Sequence, residues 1–101
     1  KQRLWLATEG EGLVMQAVDG SRQQYTADHG LPANAVKSLF EDNQGRIWVG
    51  TSGGLALIDK RLQLSQPFAR ELNTPVFALA ANNDQQLIVV YCVYTRIGGN
   101  N

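Results

Sequence analysis

The stretch GLPANAVKSLFEDNQGRIWVGTSGGLALID, residues 30–59, decides the fold. Short apolar runs alternate in it with polar, glycine-containing turns, a pattern typical of successive antiparallel strands. The first turn ends at Gly45, which can adopt the positive φ of a tight hairpin. The second turn, residues 50–54, contains three glycines, so the chain can reverse again. We predict four strands, at residues 36–41, 46–51, 55–59 and about 62–66.

The same pattern recurs on both sides of this stretch. The sequence RLWLATEGEGL at residues 3–13 matches RIWVGTSGGL at residues 46–55, with one extra residue in the turn of the first copy. The tryptophans of the two copies lie 43 residues apart, and VFAL at residues 76–79 repeats VKSL of the middle copy at a spacing of 40. Four strand-like segments in such a period indicate the blades of a β-propeller. A single β-sandwich with chance similarity is the alternative.

The repeats divide the chain into three units. Residues 1–29 are expected to be the later strands of one blade, and residues 30–66 a complete blade with the segment that leads into it. Residues 67–101 are expected to be a bridge and the first strands of a third blade. The fold class is therefore all-β, a propeller fragment of about two and a half four-stranded antiparallel blades. Because a ring needs four to eight blades, we expect a longer polypeptide or several copies of the chain to complete it.

Two tryptophans at the same place in successive repeats favour packing between neighbouring blades over carbohydrate stacking. Glycines in the turns and the threonine and leucine beside them recur with the tryptophans. The residues expected to anchor the blades are Trp5, Trp48, Gly45, Gly50, Thr51, Gly54 and Leu55.

The composition excludes several classes of partner. The formal net charge is zero, with nine basic and nine acidic residues, so the concentrated positive surface that nucleic acid binding needs is absent from the sequence. The longest apolar stretch, residues 87–93, has seven residues, far fewer than the roughly 20 needed to span a bilayer. We expect contact with neither nucleic acid nor membrane in this segment.

The sequence offers no catalytic set. His29 is the single histidine, so neither a Ser/His/Asp triad nor a histidine-rich metal site can be assembled. The acidic residues are spread through turns, and their spacing selects no carboxylate pair. We therefore expect no metal, no cofactor and no catalysis in this segment. The loops expected to face a ligand contain His29, Asn34 and Asn73.

The segments GLPANAV, EDNQGRIWVGT and GGLALID together resemble the two-component regulator propeller repeat. The third copy departs from the pattern, with Ile88 in place of Trp, Gln85 in place of the turn Gly and Val90 in place of Gly. The resemblance implies the periplasmic, extracytoplasmic sensor of an inner-membrane receptor, with a histidine kinase phosphorelay or a diguanylate cyclase as its output. It also implies partners: a small-molecule or glycan ligand or an adjacent domain, and further blades or copies.

Two other functions remain open at this point. A lectin-like or scaffolding propeller assembled from short chains would form defined oligomers and bind glycans. A propeller lyase or lactonase would hold a metal on acidic or histidine side chains that face the axis.

Overall fold

The computed structural model describes residues 3–82, 84 and 86–91. In this part of the chain the strands form three antiparallel sheets, β1-β2-β3, β4-β5-β6-β7 and β8-β9. The predicted all-β architecture is confirmed. The strands are β1 Arg3–Ala7, β2 Leu13–Ala17, β3 Arg22–Tyr25, β4 Val36–Glu41, β5 Ile47–Thr51, β6 Gly54–Ile58, β7 Leu64–Ser65, β8 Val76–Ala81 and β9 Leu87–Tyr91. The predicted third unit, residues 67–101, extends past Tyr91 to residues outside the described part.

The middle sheet differs from its predicted strand limits mainly at its last strand. β7 has two residues, Leu64–Ser65, where a strand over about 62–66 was predicted. The preceding hairpin turn takes up the difference, because the Asp59 N–H donates to the Gln63 carbonyl and closes a five-residue turn. β6 pairs with β7 at only two positions, so the outer edge of this sheet is short.

The bridge between the first and second sheets contains a 3-10 helix, Ala27–His29. Thr26 caps this helix: its hydroxyl accepts the Asp28 N–H, and its own N–H donates to Nδ1 of His29. Gly30, at φ 109°, ends the helix. The capping pair explains the helix, since it satisfies backbone groups that a single short turn leaves open.

Three of the hairpin turns share one construction. In each of them the Oδ1 atom of an Asp or Asn accepts the backbone N–H groups two and four residues later: Asp42 from Gln44 and Arg46, Asp59 from Arg61 and Gln63, and Asn82 from Asp84 and Gln86. This side chain replaces backbone partners within the turn. The same side-chain hydrogen bonds therefore recur in these three turns.

One apolar core lies between the first and second sheets. Tyr25 and Leu13 of the first sheet pack in it against Val49 and Ile58 of the second. The half-buried ring of Trp5 stacks on Tyr25, with 6.3 Å between ring centroids. The Tyr25 hydroxyl donates across the interface to the Leu62 carbonyl at 3.0 Å. Burial raises the pKa of this hydroxyl, so it stays protonated and able to donate at neutral pH.

A second core lies between the second and third sheets. Its buried members are Trp48, Leu55 and Val76. Here β5 comes close to β8: a Cβ atom built on Gly50 would lie 2.7 Å from Cγ1 of Val76. Each tryptophan therefore lies at the junction with the following sheet, and Gly50 lets that sheet approach.

Both outer faces of this three-sheet stack carry exposed apolar side chains. On the first sheet, Leu4 is 55% exposed. On the third sheet, Ile88 and Val90 are 44% and 50% exposed, whereas the alternate residues Leu87 and Val89 pack against the second core. A strand with apolar residues on both faces is suited to packing on both sides.

Candidate functional site

The antiparallel strands give each sheet two different ends. One, the bridge end, contains the segments between sheets, residues 26–35 and 66–75, and the loops at residues 8–12 and 52–53. The other, the turn end, contains the hairpin turns, residues 42–46 and 59–63. Loops held on a rigid sheet scaffold are where binding residues concentrate, so the two ends are the candidate sites.

Backbone hydrogen bonds join the first and second sheets at the bridge end. The Gly12 N–H donates to the Asn34 carbonyl at 2.8 Å, and the Val36 N–H donates to the Thr8 carbonyl at 2.7 Å. The Ser52 N–H donates to the Ala35 carbonyl at 3.0 Å. The first bridge is therefore attached both to the first sheet and to the loop at residues 52–53 of the second sheet.

A threonine supports the loop between the paired strands in two successive sheets. The Thr8 hydroxyl donates to the Gly12 carbonyl at 2.6 Å, and the fully buried Thr51 hydroxyl donates to the Gly54 carbonyl at 2.8 Å. Each also accepts a backbone N–H from inside its loop. The extra residue of the first loop is accommodated without loss of this arrangement.

Gly54 allows the second bridge to approach this loop. It lies at φ 147°, and a Cβ atom there would overlap the Leu72 carbonyl oxygen. Leu55, next to it, is 1% exposed and belongs to the second core. Gly45 is at φ 79° in the hairpin turn at the opposite end. These predicted anchor residues thus occupy both ends of the middle sheet.

The predicted ligand-facing residues lie at the bridge end, on two different bridges. His29 and Asn34 belong to the first bridge and are exposed. Both side chains hold that bridge: His29 accepts the Thr26 N–H at 2.9 Å, and Asn34 Oδ1 accepts the Ala27 N–H at 2.7 Å. Asn73 is exposed on the second bridge, beside Gly54. His29 and Asn34 thus support the same bridge, and the second bridge, at Asn73, meets the first, at Pro32, beside Gly54.

Two further bridge-end residues were not among the predicted ligand-facing residues. β4 and β8 have the same irregularity of register, at Lys37 and at Phe77, and these strands lie beside each other. A β-bulge re-aims the side chain at the extra residue, and Phe77 is 54% exposed. Lys37 Nζ lies 3.5 Å from both carboxylate oxygens of Glu9. The 40-residue spacing of these two residues was the available signal.

A charged cluster stabilises the turn end of the middle sheet. Asp42 Oδ2 accepts Arg46 Nε at 2.8 Å and the Trp48 indole N–H at 3.0 Å. The Arg46 guanidinium lies over the Trp48 ring, 5.6 Å from its centroid. Burial by itself raises the pKa of Asp42, but hydrogen bonds from Arg46, Trp48 and Gln44 outweigh it and hold the pKa below its ordinary value. Asp42 is therefore ionised at neutral pH.

The described residues include no group of three or more His, Cys, Asp or Glu side chains that could hold a metal ion. Over the same residues, no helix is long and apolar enough to cross a bilayer.

Comparisons with known proteins agree with this architecture. Residues 30–53 match the family described as two component regulator propeller. A solved structure that is similar to this chain is the extracellular domain of a protein from B. thetaiotaomicron described as a hybrid two component system. The sequence identity is 25% and the TM-score 0.68, over 88% of this chain.

The aligned region spans only 11% of that solved chain. No curated protein matches the sequence. The resemblance to the two-component regulator propeller repeat is confirmed at residues 30–53, which match that family.

Proposed function

We propose that this chain is part of the extracytoplasmic sensory propeller of a two-component signalling receptor. In this proposal it binds a small molecule, a glycan or an adjacent domain and does not convert it. Support comes from the family match at residues 30–53 and from the similarity to an extracellular domain described as belonging to a hybrid two component system. The rest of the receptor that carries this chain would supply the remaining blades.

The bridge end is the part of the chain that this function uses. The observation that carries it is the pair of hydrogen bonds Gly12 to Asn34 and Val36 to Thr8, which tie the first bridge to the preceding sheet. A ligand that contacts the bridge therefore acts on two sheets at once. In this proposal the ligand binds one arrangement of the two sheets more tightly than another, and this difference in affinity shifts their equilibrium.

The output is proposed to lie elsewhere in the polypeptide, on the other side of an inner membrane. A histidine kinase phosphorelay fits the description of the similar structure, and a diguanylate cyclase is the other output found with this repeat. The chain would then be periplasmic. Its contribution in this proposal is binding and transmission.

A ligand screen tests binding without conversion. The protein that carries this chain is heated with a panel of oligosaccharides and small metabolites, and a ligand raises its melting temperature by mass action. Each hit is incubated with the protein and recovered for mass spectrometry. We expect recovery of the unchanged ligand. Recovery of a cleaved or ring-opened product would overturn the proposal and favour the lyase or lactonase function.

A reporter assay in the host tests transmission. Transcription of genes that respond to the ligand is measured with the wild-type receptor and with Lys37→Ala and Asn73→Ala, two exposed bridge-end changes. We expect the ligand concentration for half response to rise about tenfold, as for loss of one charged or polar contact. Arg22→Ala, on the exposed strand β3, is the matched control and should respond normally. An unchanged response in all three variants would exclude the bridge end as the site that senses the ligand.

A further inference from the structure

The turn end of the middle sheet carries an open groove of about 630 Å³. Two hairpin turns form it, one between β4 and β5 and the other between β6 and β7. The residues that line it are Asn43, Gln44, Arg46, Asp59, Lys60 and Arg61. The groove lies at the opposite end of the sheet from the bridges, so it is distinct from the bridge-end site.

The two carboxylates near this groove accept hydrogen bonds from their own hairpins. Asp59 Oδ1 accepts two backbone N–H groups, from Arg61 at 2.8 Å and from Gln63 at 3.0 Å. Asp42 accepts two backbone N–H groups, the Trp48 indole and Arg46 Nε. Both acidic side chains thus stabilise their own turns, and three basic residues and two amides line the groove together with Asp59.

The cations of the groove come from both hairpins. Arg46, on the first, is held in place by Asp42 at 2.8 Å and by the Trp48 ring beneath its guanidinium. Lys60 and Arg61, on the second, are exposed, and no described carboxylate lies within 4 Å of either ammonium or guanidinium. The Lys60 stem lies against Gly45, where a side chain would contact it at 3.4 Å.

We propose that this groove binds a small molecule with at least two carboxylate or sulfate groups, one at each hairpin. A guanidinium fork binds two oxygens of a carboxylate or sulfate group at once, and an ammonium binds them as a point charge. Cations on separate turns select a ligand with separated anionic groups. The groove volume is within the range of small-molecule sites, and Asn43 and Gln44 supply amides for hydroxyl groups between the charges. This site does not depend on the bridge-end function.

Direct binding measurements test this proposal in the protein that carries the chain. Citrate is the probe with several carboxylates, inorganic sulfate is the single-group probe, and sucrose is the neutral probe. Isothermal titration calorimetry at low ionic strength gives the dissociation constants. The test variant is Lys60→Gln with Arg61→Gln, which leaves the Asp42, Arg46 and Trp48 contacts intact. The control, Arg22→Gln with Arg70→Gln, removes the same charge from exposed positions elsewhere.

We expect saturable citrate binding, weaker sulfate binding and no sucrose binding. Lys60→Gln with Arg61→Gln should weaken citrate binding about a hundredfold, because two charge-assisted hydrogen bonds are lost and each is worth about a factor of ten. The control should change it less than about twofold, by screened long-range charge alone. Absence of citrate binding, an equal loss in both variants, or binding of sucrose as strong as that of citrate would overturn the proposal.

Discussion

Gly50 is the residue where the approach of two sheets depends on a missing side chain. A Cβ atom there would overlap Ser38 Oγ and would lie 2.7 Å from Val76 Cγ1. Gly50→Ala should therefore destabilise the protein by about 1 to 3 kcal/mol, the usual cost of overpacking. Urea denaturation measures the change. Gly10→Ala is the control, since nothing lies within 4 Å of a Cβ built at Gly10, and its effect should stay within about 0.5 kcal/mol. Equal effects of the two changes would contradict this packing.

Asp42 ties a hairpin turn to the Trp48 side chain, and its charge makes that link depend on pH. Because the pKa of Asp42 is depressed in the folded protein, its contribution is complete above the ordinary pKa of about 3.9. It is lost as the pH falls through the depressed value. The free energy of unfolding, measured by urea denaturation between pH 7 and pH 2, should therefore decrease as the pH falls below about 3.9.

Asp42→Asn tests the same link at neutral pH. The new amide N–H₂ would face two donors, Arg46 Nε and the Trp48 indole N–H, so we expect a loss of about 1 to 3 kcal/mol and a smaller acid dependence. Asp19→Asn is the control. Asp19 lies in an exposed turn and accepts from Ser21 alone, a role that Asn can take over. An unchanged acid dependence in Asp42→Asn would exclude Asp42 as its source.

Among the elements, the hairpin between β6 and β7 contains the one described non-glycine residue with positive φ, Leu62 at 65°. It occupies the position that Gly45 has in the preceding hairpin, three residues after the aspartate. A left-handed conformation costs a residue with a side chain about 1 to 2 kcal/mol. Leu62 packs against the first core and receives the Tyr25 hydroxyl on its carbonyl, which offsets that cost.

The positive φ of Leu62 reverses the usual order of stability, in which an alanine variant is more stable than a glycine variant. Leu62→Gly and Leu62→Ala both lose the side-chain packing, but glycine adopts positive φ without strain. Leu62→Gly should therefore be more stable than Leu62→Ala by about 1 kcal/mol, measured by thermal unfolding. At Leu64, in strand β7, the same pair of changes should follow the ordinary order, with alanine more stable. Alanine more stable at Leu62 as well would exclude the strained turn.

At the scale of the whole molecule, the apolar outer faces of the first and third sheets are suited to further blades. The chain expressed by itself should therefore associate in water, as exposed sheet surfaces do. Size-exclusion chromatography with light scattering measures this. Ile88→Lys with Val90→Lys should reduce association, whereas Val18→Lys, at a 78% exposed turn position, should not. A wild-type monomer at all concentrations would contradict the expectation, and one discrete oligomer would favour assembly from short chains.

The sequence determined the strands, their period and the repeat family, because these depend on local properties. The alternation of apolar residues, the turn chemistry of Asp42 to Gly45 and the 43-residue spacing of the tryptophans are all visible along the chain. The strand limits differ chiefly at β7, where a five-residue turn replaced part of the strand. The strained Leu62 could not be foreseen, because a leucine in a turn carries no signal of positive φ.

Only the tertiary structure decided which residues meet. Asn34 and Gly12 are 22 positions apart, and no periodicity states that their backbones bond. The groove joins hairpin tips at residues 43–46 and 59–61 because four antiparallel strands return both turns to one end of the sheet. The groove is cationic because folding brings three basic residues, Arg46, Lys60 and Arg61, together there beside two carboxylates, Asp42 and Asp59. A neutral composition can contain a cationic site because folding, not composition, sets which charges face the solvent together.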